Sequence, residues 1–251
     1  MPYSITPGDA PPIVLVAALG FPGSSWRPVI ELLRAGSATF AYDRPGTGAA
    51  ALRPDPEQPV TYSVLAQELA DLLEEAAIEA PAVFVGHSMG SHIVRVFAGR
   101  HPDRVAGLVH VEGSIPRVNL WHGAESMIDS EGDDGNEIDV VAGEVEVLTA
   151  VVPRVPALVM TRTPGRWPEP LPHPAIDDLW TAHQRILAAE RGSPLLVAEN
   201  SGHLMPGEAP ALVAYAIDAV THAVRAGARP RVDLVELAAA GGRLDADSRP
   251  G

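Results

Sequence analysis

Two hydrophobic rhythms alternate along this chain. Short continuous apolar runs at Ile13 to Leu19, Thr39 to Tyr42, Ala82 to Val85, Val105 to Val111, Val155 to Thr161 and Pro194 to Ala198 read as buried strands. Between them apolar residues recur every three to four positions, which predicts helices over Trp26 to Leu33, Tyr62 to Ala77, Ser91 to Arg100, Ile176 to Arg191 and Pro210 to Val224. In the second of these, Leu65, Leu69, Leu72 and Leu73 share one face. Strands alternating with helices at this spacing imply an α/β fold with a mostly parallel central sheet covered on both faces. Ligands then bind beyond the carboxyl ends of the strands.

The rhythm breaks once, between Gly113 and Pro153, where Trp121, His122 and the acidic run Asp129 to Glu137 precede a short helix at Val140 to Val151. The predicted organisation is a first core part over 1–112, a short cap or lid insertion over 113–153, a second core part over 154–224, and a tail over 225–251 that is partly disordered at its end. The acidic run lacks the alternating ligands and closing Glu of a calcium loop, so it reads as a mobile solvated segment.

The chemistry gathers at strand ends. Gly86-His87-Ser88-Met89-Gly90 lies between an apolar run and a helical pattern, which is the context a nucleophile elbow needs. Such a turn is strained and exposes the Ser88 hydroxyl, while Gly86 and Gly90 keep side chains off the neighbouring backbone. The Met89 N–H then faces the oxygen that becomes negative in acyl transfer, and the Phe21 N–H, in the loop after the first predicted strand, is the second candidate donor. His203, in the loop after the last predicted strand, is placed to act as base. For the acid that orients it, Glu112 is favoured at the end of Val105 to Val111, with Glu169, Asp177, Asp178 and Asp139 as alternatives, because spacing alone does not decide which reaches His203. Asp43, followed by Arg44-Pro45-Gly46, reads as a turn former paired with Arg44. Trp26, His92, Trp121 and Trp180 are candidate substrate-binding residues, and His87 is expected to pack beneath the elbow.

Composition narrows the function. The 251 residues carry 18 basic and 32 acidic side chains, a net charge of −14, which disfavours nucleic acid and anionic membranes as partners. No apolar run is long enough to span a bilayer, the first residues do not read as a signal peptide, and cysteine is absent, so a cytoplasmic protein is expected. No His, Asp and Glu cluster has metal-ligand spacing, and neither a Walker loop nor a dinucleotide fingerprint is present. The expectation is therefore no cofactor and a small-molecule substrate, with the oligomeric state left open.

The Leu19-Gly20-Phe21-Pro22-Gly23-Ser24-Ser25-Trp26 loop, the Asp43 to Gly48 turn, the elbow and Ser201-Gly202-His203 together resemble the α/β-hydrolase superfamily, across most of residues 10 to 224. The resemblance implies the α/β-hydrolase fold with a short cap. It also implies a serine hydrolase acting through a covalent acyl-enzyme on a carboxylic ester or lactone of small to medium, largely apolar character. A thioesterase, C–C bond hydrolase or perhydrolase would use the same triad, and a non-catalytic binding protein could use the same fold. Two departures stand out. Members often carry His-Gly where this chain has Leu19-Gly20. Many also place the triad acid after the strand equivalent to 155–161, where this chain reads Arg162-Thr163-Pro164-Gly165-Arg166 without an acid. Some relatives, certain haloalkane dehalogenases among them, take the acid from the preceding strand, the place of Glu112.

Overall fold

Every predicted apolar run contributes a strand. The computed structural model describes residues 1–34, 36–53, 59–116, 128–131, 136–166 and 174–247. In chain order the strands are β1 (Tyr3–Thr6), β2 (Asp9–Val16), β3 (Ser37–Tyr42), β4 (Ala82–His87), β5 (Val105–Val111), β6 (Ile128–Glu131), β7 (Asn136–Asp139), β8 (Ala157–Thr161), β9 (Leu195–Ala198) and β10 (Gly242–Leu244). The helices are α1 (Arg27–Ile30), α2 (Tyr62–Glu75), α3 (Met89–Arg100), α4 (Val140–Thr149), α5 (Pro174–Arg191), α6 (Met205–Glu208), α7 (Pro210–Ala226) and α8 (Leu234–Ala239). Eight strands form one sheet in the order β1-β3-β2-β4-β5-β8-β9-β10, and β6 and β7 form a separate antiparallel hairpin. The six inner strands run parallel, while β1 and β10 pair antiparallel at the two edges.

The pleat sorts side chains into two core layers. Val14, Val16, Phe84 and Leu108 pack with α2 and α3 on one face. Ile13, Leu15, Val83, Val85 and Val109 pack with α1 and α7 on the other. Burial on both faces is why the strands read as continuous apolar runs rather than alternating ones.

Three elements differ from their sequence readings. The first apolar run leaves the sheet at Val16, because the carbonyls of Ala17 and Ala18 accept from Arg44 Nη1 at 2.9 Å and Nη2 at 2.5 Å instead of from a neighbouring strand. The helix expected over Trp26 to Leu33 is a 3-10 turn, Gly23–Trp26, followed by the single-turn α1. The expected tail is largely built into the body. Asp233 caps α8 by accepting from the N–H groups of Val235 and Glu236, Leu237 is buried, and β10 closes the sheet edge against β9. Asp245 then pairs with Arg185 at 2.8 Å.

The insertion is also anchored in its described parts. Val60 bridges Ile138 in parallel, with Val60 N–H on Glu137 O and Asp139 N–H on Val60 O, each at 2.9 Å. Glu146 on α4 accepts from Thr61 Oγ1 at 2.7 Å and from Ser63 N–H at 2.8 Å. Ile138 and Val147 are fully buried against the α2–α3 side of the sheet. Of the acidic run expected to be mobile and solvated, Glu131 is 1% exposed and paired with Arg44.

Candidate active site

The elbow takes its shape from where β4 lies. As a central strand between β2 and β5, β4 brings its carboxyl end against other backbones, and Ser88 turns there with φ 52° and ψ −120°. A Cβ on Gly90 would meet Val16 O at 2.2 Å, and one on Gly86 would meet Gly90 O at 2.5 Å, so both positions need glycine. The Ser88 N–H donates to Val111 O at 3.1 Å, which ties the apex to β5. Met89 opens α3, so its N–H has no acceptor within the helix and faces outward with the positive end of the helix dipole.

β5 delivers the carboxylate. Its register places Val111 opposite His87, so the next residue of each strand, Glu112 and Ser88, emerge side by side. Glu112 also has a left-handed backbone, φ 47°, held by its N–H on Met160 O at 2.8 Å. Two strained non-glycine residues therefore meet at one point, a concentration typical of functional sites. The Glu112 side chain is fully buried and accepts from Thr161 Oγ1 at 2.7 Å, Arg162 N–H at 2.9 Å and Arg162 Nη1 at 2.7 Å. Burial pushes its carboxyl up, but the hydrogen bond from His203, the Arg162 guanidinium and the Thr161 hydroxyl outweigh it and hold the group below its ordinary range.

His203 completes the array. Its Nε2 lies 2.9 Å from Ser88 Oγ, and its Nδ1 lies 3.4 Å from Glu112 Oε1. The tautomer that suits both carries the proton on Nδ1, donating to the carboxylate, and accepts from the serine at Nε2. The loop behind it is clamped. Thr163 N–H donates to Ser201 O and Ser201 N–H to Thr163 Oγ1, each at 2.9 Å, and Glu208 accepts from Gly202 N–H. His87 Nε2–H donates to His203 O at 2.7 Å, and burial pushes its pKa down to about 4, so the imidazole is neutral and holds the His203 backbone. Trp180 meets the His203 ring edge-on, with centroids 5.6 Å apart.

The remaining predicted residues divide. Phe21 is 37% exposed at the tip of its loop, and its N–H closes a turn onto Ala18 O at 3.1 Å. Trp26 is not a pocket wall. It is fully buried in the core layer beneath the site, edge-on to His87 at 6.3 Å. His92 is not open to a ligand either. It is 1% exposed, packs tilted against the Tyr62 ring with centroids 5.1 Å apart and donates from Nε2 to Ser114 O at 2.7 Å, with burial taking its pKa down to about 3. Trp121 and Glu169 lie outside the described residues. Asp177 pairs with Arg162 and accepts from Gly165 N–H at 2.8 Å, Asp139 caps α4, and Asp178 is exposed; of the described carboxylates weighed for the triad, Glu112 is the one hydrogen-bonded to His203. Asp43 does form the turn, but through Gly23 N–H at 2.8 Å and Ala49 N–H at 2.9 Å, while Arg44 turns away to Glu131.

Sequence reasoning missed Ser114. Its Oγ lies 3.2 Å from Ser88 Oγ and its N–H donates to Ser88 O at 3.1 Å. Ser114 stands two residues past Glu112, and a polar residue following a strand-end acid was the available signal. Ser114 also borders a cleft with about 30 Å³ of free space between α3, α4 and α5, whose polar lining includes Arg95, His183, Gln184 and Glu190.

Sheet order, elbow and strand-end loops together define the α/β-hydrolase fold. The family model of the alpha/beta hydrolase fold matches residues 11–130. Over 123 residues the chain is 36% identical to RutD of Escherichia coli O44:H18, whose name assigns it provisionally to carbamate hydrolysis. That alignment covers 47% of this chain and 44% of the relative, so the likeness spans less than half of the curated relatives it matches. Among solved structures, a thermophilic esterase from Thermogutta terrifontis superimposes with a TM-score of 0.59 at 18% identity, covering 89% of this chain and 93% of that one. A thioesterase domain from the curacin biosynthetic pathway gives 0.57 at 16% identity over 86% of this chain and 93% of its own. At such identities these structures share the fold. Among the described residues, no helix is long and apolar enough to cross a membrane.

Proposed function

We propose that the protein is a serine hydrolase that cleaves a carboxylic ester or lactone of a small to medium, largely apolar substrate through an acyl-enzyme on Ser88. The observation that carries this reading is the Ser88–His203–Glu112 array, with 2.9 Å from serine to imidazole and a buried carboxylate on the far ring nitrogen. His203 Nε2 takes the Ser88 proton as Oγ forms a bond to the carbonyl carbon. The carbonyl oxygen becomes negative and is held by the Met89 N–H and by the Phe21 N–H, shared with Ala18 O. Protonated His203 then gives its proton to the departing alkoxide, and the ester C–O bond breaks. Water, deprotonated by His203, attacks the acyl carbon and releases the acid with Ser88 restored. Glu112 stays ionised throughout and stabilises the imidazolium.

The test is a burst assay with p-nitrophenyl acetate and butyrate, followed by intact mass after an organophosphonate probe. A stoichiometric adduct with turnover, both absent in Ser88→Ala, is the expected result. Turnover that survives Ser88→Ala would overturn the assignment. The 36% identity to RutD favours a second reading in which the acyl group is a carbamate. An adduct on Ser88 without ester turnover would point there or to a thioester.

A further inference from the structure

The loop expected to supply one oxyanion donor is gripped by a buried ion pair that the triad does not use. Arg44 and Glu131 are 2% exposed at their side chains and pair directly, with a second contact from Arg44 Nη2 to Glu131 Oε2 at 3.2 Å. Neither group spends all its bonding capacity on the other. Arg44 donates to Ala17 O and Ala18 O, and Glu131 Oε2 accepts from Gly20 N–H at 2.8 Å. One pair therefore fixes the backbone both before and at Gly20, whose left-handed φ of 72° aims the following peptide. Past Phe21, Gly23 N–H is fixed by Asp43. Phe21 itself sits between these anchors, 37% exposed, with its N–H turned onto Ala18 O at 3.1 Å.

We propose that Glu131 and Arg44 are positioning residues for the oxyanion loop, so that the outer β6–β7 hairpin, through Glu131, sets the direction of the Phe21 N–H. This rests on the serine-hydrolase reading above. A buried ion pair by itself is weak evidence of a stabilising role, since an apolar pair of similar volume often serves as well or better. What an apolar pair does not supply is the set of bonds to Ala17 O, Ala18 O and Gly20 N–H. A donor displaced by about 1 Å loses much of its effect on the transition state, while substrate binding elsewhere is untouched.

The decisive comparison uses Glu131→Gln and the double variant Arg44→Met, Glu131→Met. Glu131→Gln keeps the shape and one oxygen but loosens the grip on Arg44. The double variant removes both charges, so neither is left buried alone. In the double variant kcat should fall at least about tenfold with KM within about threefold, and phosphonate labelling of Ser88 should slow by the same factor, while Tm stays near that of the parent protein. Glu131→Gln should show a smaller loss of the same kind. Amide exchange over residues 17–23 should speed up in both variants, a readout that needs no catalysis. Full kcat in a folded double variant, or unchanged kcat and unchanged exchange in Glu131→Gln, would overturn the proposal. Should the double variant fail to fold, Glu131→Gln decides alone. Failure of the underlying reading looks different: the parent protein itself would take no phosphonate on Ser88.

Discussion

Glu112 and Glu131 are both buried and both paired with an arginine, yet they are built in opposite ways. Glu112 ends a central strand, has a strained backbone, and is surrounded by Thr161, the Arg162 main chain, the Arg162 guanidinium and His203. Glu131 belongs to a two-stranded hairpin outside the main sheet and spends its oxygens on Arg44 and one backbone N–H. On the proposed mechanism the difference follows from what each holds. A charge that faces an imidazole changing its protonation is backed by the sheet, while a loop that needs only its backbone aimed is held from outside.

The sharpest way to break this contrast is Glu112→Gln. It keeps shape but removes the charge that favours the His203 imidazolium, so kcat should fall by about 10³- to 10⁴-fold, far more than for Glu131→Gln. Steady-state ester kinetics measure both, and equal losses would end the distinction. Next in size is stability. Arg162→Met leaves Glu112 buried without its cation and should cost about 3–5 kcal/mol by urea titration. Arg44→Met should cost a similar amount, and adding Glu131→Met should return most of it. An Arg162→Met protein of unchanged stability would mean that Thr161 and the backbone hold Glu112 unaided.

Acid sharpens the comparison further. His87 and His92 have folded pKa values near 4 and 3, below the value of about 6.5 in an unfolded chain, so on acidification the unfolded chain takes up protons first. Their contribution is complete above about pH 6.5 and declines as pH falls toward 4, by about 1.4 kcal/mol per pH unit for each histidine. Glu112 adds a loss in a lower window, below the ordinary carboxylate pKa, because its folded value is depressed. Urea midpoints at pH 7, 5.5 and 4.5 should show this slope, and His92→Gln should flatten it; an unchanged slope in that variant would place the acid sensitivity elsewhere. The smallest expected effect is Ser114→Ala, which removes one neutral hydrogen bond to Ser88 and should change kcat by about 2- to 10-fold. No change would mean that Ser114 supports Ser88 through its N–H alone.

The elbow was legible in the sequence because its requirements are local: a strand, two glycines whose Cβ atoms would strike backbone, and a helix. Trp26 and His92 were misread for the opposite reason. A tryptophan after a glycine-rich loop and a histidine one turn past the serine look alike whether they face a pocket or the core. Only the packing of α3 on Tyr62, and of the loop on His87, turned both inward. Arg44 was misread as the partner of its neighbour Asp43, since a partner 87 positions away leaves no local trace.

By itself the sequence determined the alternation of buried strands and helices, the strained serine turn and the candidate base, because each rests on short-range sterics or hydrophobic period. Tertiary structure decided which carboxylate faces His203, that Arg162 stands against it, that residues 234–244 close the sheet edge, and that Glu131 reaches back to the Gly20 loop. Each of these depends on register between strands or on the meeting of distant loops. A desolvated charge selects whichever partner the fold brings within reach, and that selection is made in space.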